Sequence, residues 1–237
     1  MNIAPCICGL GFLSSGFLGA AVTVTPNESV MTSAFFFAPN FVRGYAGDNR
    51  PVMRVSSDNA FGVGPETIYL DFTGFSPMSF QTVVLSMESM SGGFGADADA
   101  ANPFTVSAHA VSTDPFATII DDTNPGGTIS WSDFYANEIL DADPAALTVI
   151  DGFGTVTFDV TGIVELWESD AGIPRVIALT GINDVQQGNG FLHGFANETE
   201  APGATSLTAF VVPEPSAAML IFGALGGMMF RRRKGEF

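Results

Sequence analysis

The chain has 237 residues, 46% of them apolar, with 27 glycines and 14 prolines; that is enough apolar mass for one core-bearing domain, excludes global disorder and favours many turns over long helices. Eight basic residues stand against 25 acidic ones, a formal net charge of −17, and a surface of that sign repels phosphate backbones and excludes nucleic acid as a partner. The two cysteines, Cys6 and Cys8, lie close to the N-terminus, so composition also excludes a disulfide scaffold, a downstream thiol enzyme and a polytopic membrane protein.

In chain order, the first segment is Ile3 to Val22, which carries no charge, and Gly19 and Ala21 place small residues where a signal peptidase needs them. Residues 1–21 therefore read as a secretory signal peptide cut after Ala21. No Lys or Arg precedes the apolar run. A translation start elsewhere would explain that, as would a buried first strand or helix in place of a signal. Residues 22–33 read as a loose lead.

From 34 to 212 the apolar period is two rather than 3.6. Ile68, Leu70 and Phe72 alternate with Thr67, Tyr69 and Asp71; Val83, Leu85 and Met87 belong to a strand that is apolar on both sides; Phe104, Val106, Ala108 and Ala110 oppose Thr105, Ser107 and His109. Val156, Phe158 and Val160 oppose Thr155, Thr157 and Asp159, and further strands are expected over 176–180, 191–195 and 207–212. Clusters rich in Gly, Asp, Asn and Ser separate these runs, as in Ser91-Gly92-Gly93 and Gln187 to Gly190. The expected fold class is all-β, a jelly-roll-like β-sandwich spanning 34–212. One helix is predicted inside it, with Thr161 as N-cap and Ile163, Leu166 and Trp167 on its buried stripe.

The last segment, 213–237, has three parts: Pro213-Glu214-Pro215, an apolar run from Ser216 to Phe230, and the basic cluster Arg231, Arg232, Arg233 and Lys234. The run would rise about 22 Å as a helix, shorter than a stable span of about 20 residues needs. The cations would hold its end in the cytoplasm with the preceding domain outside. This order of parts resembles the PEP-CTERM sorting signal of Gram-negative bacteria. The resemblance implies export, a single hydrophobic C-terminal helix held transiently in the inner membrane, and cutting by an exosortase-type enzyme as partner, on the way to the cell surface or the extracellular space.

The body carries a second resemblance. Phe41-Val-Arg-Gly-Tyr45, the run from Asn49 to Val55 with Arg50 and Arg54, and Thr67 to Thr73 are similar to the opening of DNRLRE-type extracellular domains. Val106 to Val111, Ile129 to Asp133 around Trp131, Val156 to Thr161 with Val164 and Trp167, and Phe195 to Glu198 follow in the same order. The doubled Asn after the family's Trp is missing, and an acidic turn with Phe210 replaces its closing aliphatic triplet. The resemblance implies a jelly-roll-like sandwich related to carbohydrate-binding modules, and with it extracellular polysaccharide as a partner.

No catalytic residues are expected. There is no Gly-x-Ser-x-Gly elbow, and His109 and His193 are the two histidines available as a base; both read as partly exposed strand residues. Metal-binding His spacings are absent. Asp97, Asp99, Asp121 and Asp122 lie in turn-like sequence and are the candidate metal ligands, for a weakly held structural Ca²⁺ as the one cofactor implied, or else a solvated acidic surface. Tyr69, Trp131, Phe134 and Tyr135 are the candidate glycan contacts, because sugar C–H faces pack on flat exposed rings; Tyr69 points away from Ile68 and Leu70 and is expected to be exposed, whereas Trp167 is expected in the core. Arg43, Arg50 and Arg54 are expected to pair with carboxylates rather than meet an acidic polysaccharide. The sequence thus points to an exported envelope or extracellular-matrix protein with a structural, adhesive or glycan-contacting sandwich. The alternatives are a polysaccharide-acting enzyme, lyase or glycosidase, and a scaffold that touches no glycan.

Overall fold

The computed structural model describes residues 21–35, 38–43, 52–56, 63–77, 79–92, 97–118, 145–181, 192–198 and 201–211. Residues 1–20 of the expected signal segment, the expected sorting tail with Pro213, Glu214, Pro215 and Arg231 to Lys234, and Tyr45, Arg50, Asp121, Asp122, Trp131, Phe134 and Tyr135 lie outside the described residues.

The chain folds into strands β1 (Ala21–Val24), β2 (Glu28–Phe35), β3 (Ala38–Arg43), β4 (Val52–Ser56), β5 (Val63–Asp71), β6 (Thr82–Ser91) and β7 (Phe104–Ala110). A single helical turn, α1 (Pro115–Thr118), follows; then come β8 (Ala146–Ile150), β9 (Gly154–Asp159), helix α2 (Thr161–Ser169), β10 (Val176–Gly181), β11 (Leu192–Ala196) and β12 (Thr205–Phe210). All pairings are antiparallel. One sheet runs β1-β12-β6-β11-β4, with β9 also on β6; the other runs β3-β2-β5-β10-β7-β8. The protein is therefore an all-β, two-sheet sandwich.

The pairing from β4 to β11 is nested. β7 pairs with β8, β6 with β9, β5 with β10 and β4 with β11, as in one long hairpin rolled over on itself. The contacts of β10 with β7 and of β11 with β6 close the roll. Val84 to Met87 pair with β9 and β12 at once, while Ser89 pairs with both Gly154 and Phe195. Hence β12 and β11 follow one another along one edge of β6, and β9 holds the other. At the β4–β11–β6 junction the backbones approach closely. A Cβ on Gly194 would meet Val52 Cγ1 at 2.7 Å and the carbonyls of Met90 and Ser91 at 2.8 Å, so only glycine fits between them.

Val83, Leu85 and Met87 of β6 are wholly buried and pack with Phe158, Phe195, Leu207, Met53 and Val55 of the same sheet against Ile68, Leu70, Phe104, Val106, Ile177 and Leu179 of the other. Each such side chain stabilises the fold by about 1.5–3 kcal/mol through removal from water. Helix α2 adds Ile163, Val164 and Trp167 to this cluster. Its start departs from expectation. The N-cap is Val160, with no side-chain cap. Thr161 is instead the first helical residue, its hydroxyl donating to Asp159 Oδ1 at 2.6 Å while accepting the Val83 N–H at 2.9 Å. Leu166, expected on the buried stripe, is 39% exposed, because the stripe runs over Ile163, Trp167 and Val164 and leaves Leu166 beyond its edge.

In the second sheet the strands β5, β10 and β7 are buried on both faces. Opposite the core side, Val30, Thr67, Tyr69, Ala178, Thr180, Ser107 and His109 are also buried. Tyr69 does turn away from Ile68 and Leu70, yet it is 0% exposed, which corrects the expectation that it offers a glycan an open ring. The loose lead over 22–33 is likewise corrected: it forms β1 and most of β2. In β2 both Met31 on the core side and Val30 on the other are buried, while Glu28, Ser29, Thr32 and Ser33 are spread over both sides of the strand, so no apolar alternation marks it. β1 is exposed along most of its length and is held through its backbone pairing with β12, which leaves no inward pattern to read.

β4 and β5, from different sheets, are tied by an ion pair between Arg54 Nη2 and Glu66 Oε1 at 2.9 Å, with the carboxylate fully buried and the Arg side chain 10% exposed. Arg54 thus pairs as expected. Arg175 donates to Glu168 at 3.0 Å and to the Phe75 carbonyl. Removing one partner of a buried pair leaves the other charge uncompensated, at a cost of about 3–5 kcal/mol. Arg54→Met should therefore lower the urea-derived unfolding free energy by about that amount, and adding Glu66→Gln should restore most of it. An Arg54→Met protein as stable as the parent would show that the pair does not hold the two sheets together.

Candidate functional site

The β8–β9 hairpin crosses from the edge of one sheet to the edge of the other. Ile150 is buried, Asp151 is exposed, and the chain reverses through Gly152 and Phe153 into Gly154, whose φ of 124° favours glycine. Phe153 stands at this tip with 60% of its surface exposed. Below it lie two polar residues on the core side of the first sheet. The registers of β6 and β11 set Ser89 diagonal to His193, with Ser89 Oγ and His193 Nε2 at 2.5 Å. Ser89 Oγ also donates to the Gly152 carbonyl at 3.1 Å. The imidazole stacks on Phe153 (centroids 6.1 Å, 28° between planes) and meets Phe195 edge-on at 5.6 Å.

Proton accounting selects a tautomer. Ser89 has one hydroxyl proton, and giving it to Gly152 requires His193 Nε2 to be the protonated ring nitrogen, donating to Ser89. Nδ1, which is buried without a hydrogen-bond partner, is then a bare lone pair. An unmet lone pair costs less than an unmet N–H would in the same place. Burial lowers the His193 pKa below its usual 6.5, and the nearby Asp97 charge opposes this only in part.

A Ser–His contact can generate a nucleophile only where a substrate reaches the serine. Here Ser89 is 2% and His193 0% exposed, under the hairpin and the Phe153 ring. The arrangement ties the hairpin to the sheet and leaves no path to Oγ. A second such pair has the same character: His109 Nε2 lies 2.9 Å from Ser107 Oγ, which lies 2.7 Å from Thr180 Oγ1, all buried on the outer side of the second sheet. Both histidines are thus interior residues, which corrects the expectation of partial exposure.

The described acidic candidates do not converge. Asp97 accepts from the Ser91 hydroxyl at 2.7 Å and the Gly92 N–H at 2.9 Å. Asp99 Oδ1 accepts the N–H groups of Ala101 and Asn102, both at 2.8 Å, and these backbone bonds lower its pKa. Each carboxylate braces its own loop, and among the described residues no group of three or more His, Cys, Asp or Glu could hold a metal ion. Asp121 and Asp122 lie outside the described residues, as do the expected ring contacts Trp131, Phe134 and Tyr135. Trp167 is in the core, as expected.

Sequence reasoning passed over Phe153. The one signal for it was local: a large ring between two glycines and beside an acidic residue, in a turn. Its exposure depends on β8 and β9 being edge strands of opposite sheets, which no short window encodes. Among the described residues no helix is long and apolar enough to cross a membrane. No family model matches the chain, and no curated protein matches it.

The lowered His193 pKa has a definite sign. The folded protein keeps the ring neutral while the unfolded chain protonates at about 6.5, so acid favours unfolding. The contribution is complete above that value and is lost as pH falls below it towards the folded-state pKa. Unfolding free energies measured by urea between pH 8 and 5 should decline more steeply for the parent than for His193→Leu. Parallel curves would mean that His193 is not held neutral.

Proposed function

We propose that this is an exported bacterial protein whose body is a non-catalytic, jelly-roll-like β-sandwich acting in the cell envelope or extracellular matrix as a structural, adhesive or glycan-contacting element. The observation that carries the reading of the body is the nested pairing of β4 to β11. It deals eight successive strands to two sheets, alternating except at the β7–β8 hairpin, where both strands stay in the second sheet, in the manner of two linked Greek keys. The burial of both Ser–His pairs supports a non-catalytic role.

Export rests on the two terminal segments. The compact unit runs from Ala21 to Val211, so cleavage after Ala21 trims one residue of β1, and a cut near Pro213 to Pro215 spares β12. The Pro-Glu-Pro, apolar run and basic cluster support transient retention in the inner membrane and processing by an exosortase-type enzyme. The excess of acidic over basic residues, 25 against eight in the full chain, keeps such a body soluble outside the cell and supports Ca²⁺-mediated association between copies or with polysaccharide.

Neutral replacements of Arg231, Arg232, Arg233 and Lys234 should leave the chain misoriented or unprocessed, visible as precursor on immunoblots of cell fractions. Processing at the parental rate would remove the sorting interpretation. Thermal melting with millimolar Ca²⁺ should lie above melting in chelator. Coincident curves would remove the structural calcium.

A further inference from the structure

The geometry points to a neutral-sugar contact on the β8–β9 hairpin, with Phe153 as its stacking platform. This rests on the glycan-contact reading above and gives it a location that the sequence did not. The hairpin frames a cleft of about 240 Å³ lined along 148–157, room for a sugar ring rather than for a helix or strand of a partner. Its chemistry is mixed in the way a pyranose is mixed. Phe153 and Val149 supply apolar surface, while Thr148, Thr155, Thr157 and Asp151 supply hydroxyls and one carboxylate. Sugars present C–H faces that pack on rings and a rim of hydroxyls that need fixed polar partners.

Three features prepare the ring for that use. It is 60% exposed, far more than a core phenylalanine would be. Its orientation is set by stacking on His193, which is fixed in turn by the 2.5 Å contact with Ser89, so little conformational entropy remains to be lost on binding. Its flanks are open. A Cβ on Gly152 or on Gly154 would meet nothing within 4 Å, so the backbone on either side of the ring is uncrowded.

Charge selects within the sugars. Asp151 lines the cleft, Glu88 accepts the Thr155 hydroxyl at 3.3 Å at its border, and among the described residues no Lys or Arg lines it. Uronate, sulfate or phosphate groups would be repelled there. A neutral hexose polymer is therefore the ligand class.

The test uses the full-length protein and two probes, a soluble neutral β-glucan and a polyuronate, with affinity read by titration and melting measured alongside. The parent should bind the neutral glucan. Phe153→Ala should weaken binding about tenfold, as expected for loss of one stacking contact, and Phe153→Trp should retain it. Gly152→Gln provides a variant that does not depend on removing the ring. It has open space for its side chain and no left-handed backbone to oppose it, so it should fold normally while screening Phe153 and weakening binding. Glucan binding by the parent that is unchanged in Phe153→Ala and Gly152→Gln would overturn this site and leave the glycan reading standing. Binding to the polyuronate alone would overturn the ligand class. Silence of the parent on both probes would overturn the site and the glycan reading together.

Discussion

β6 is paired along both of its edges, and the fold depends on that register. Antiparallel ladders give side chains a period of two, so a slip of one residue would turn Val83, Leu85 and Met87 out of the core and Val84, Ser86 and Glu88 into it. Three partner strands guard against the slip, because each residue from Val84 to Met87 is matched simultaneously to β9 and β12. The same register carries Ser89 to the rim of the core, where it meets His193 and Gly152. The hydrophobic centre and the polar rim are thus set by one alignment.

Two of the polar groupings inside the sandwich are paired across different strands. Arg54 and Glu66 bridge the two sheets, and Ser89 with His193 closes the end of the core beneath the hairpin. Such groups contribute little net stability compared with apolar packing, but losing one partner is costly. Their effect is to penalise alternative arrangements of the strands. The strongly acidic surface adds to this. With 25 acidic residues against eight basic, most carboxylates have no cation to meet, and the described loops satisfy them through backbone donors, as Asp97, Asp99 and Glu198 do.

Seven of the strands were legible from the sequence, and the reason is uniform. β5, β6, β7, β9, β10, β11 and β12 each bury one side against the core or form a short apolar run between turns. β2 was missed because Glu28, Ser29, Thr32 and Ser33 interrupt any apolar alternation in it, and β1 because its side chains face solvent and its backbone pairing holds it. β8 was missed because Leu147 and Val149, its apolar residues, are 57% and 61% exposed, contrary to any rule that apolar means inside. The helix after Val160 was legible from its spacing, but its cap was not, since the Thr161 hydroxyl is drawn to Asp159 and Val83 rather than to its own helix. At the candidate site the error ran in one direction. Polar and aromatic residues expected near the surface, Tyr69, His109 and His193, proved interior, while the exposed Phe153 drew no notice.

By itself the sequence determined the strand-built class, the interior position of Trp167 and the acidity of the body, because alternation, spacing and composition are local or summed properties. Only the tertiary structure decided which strands became neighbours, which faces were covered twice, and that Ser89, Gly152, Phe153 and His193 would gather at one rim of the core. Those residues are separated by up to 104 positions between Ser89 and His193. Contacts at that range are fixed by the order in which strands pair, a property of the whole chain that no short window of residues contains.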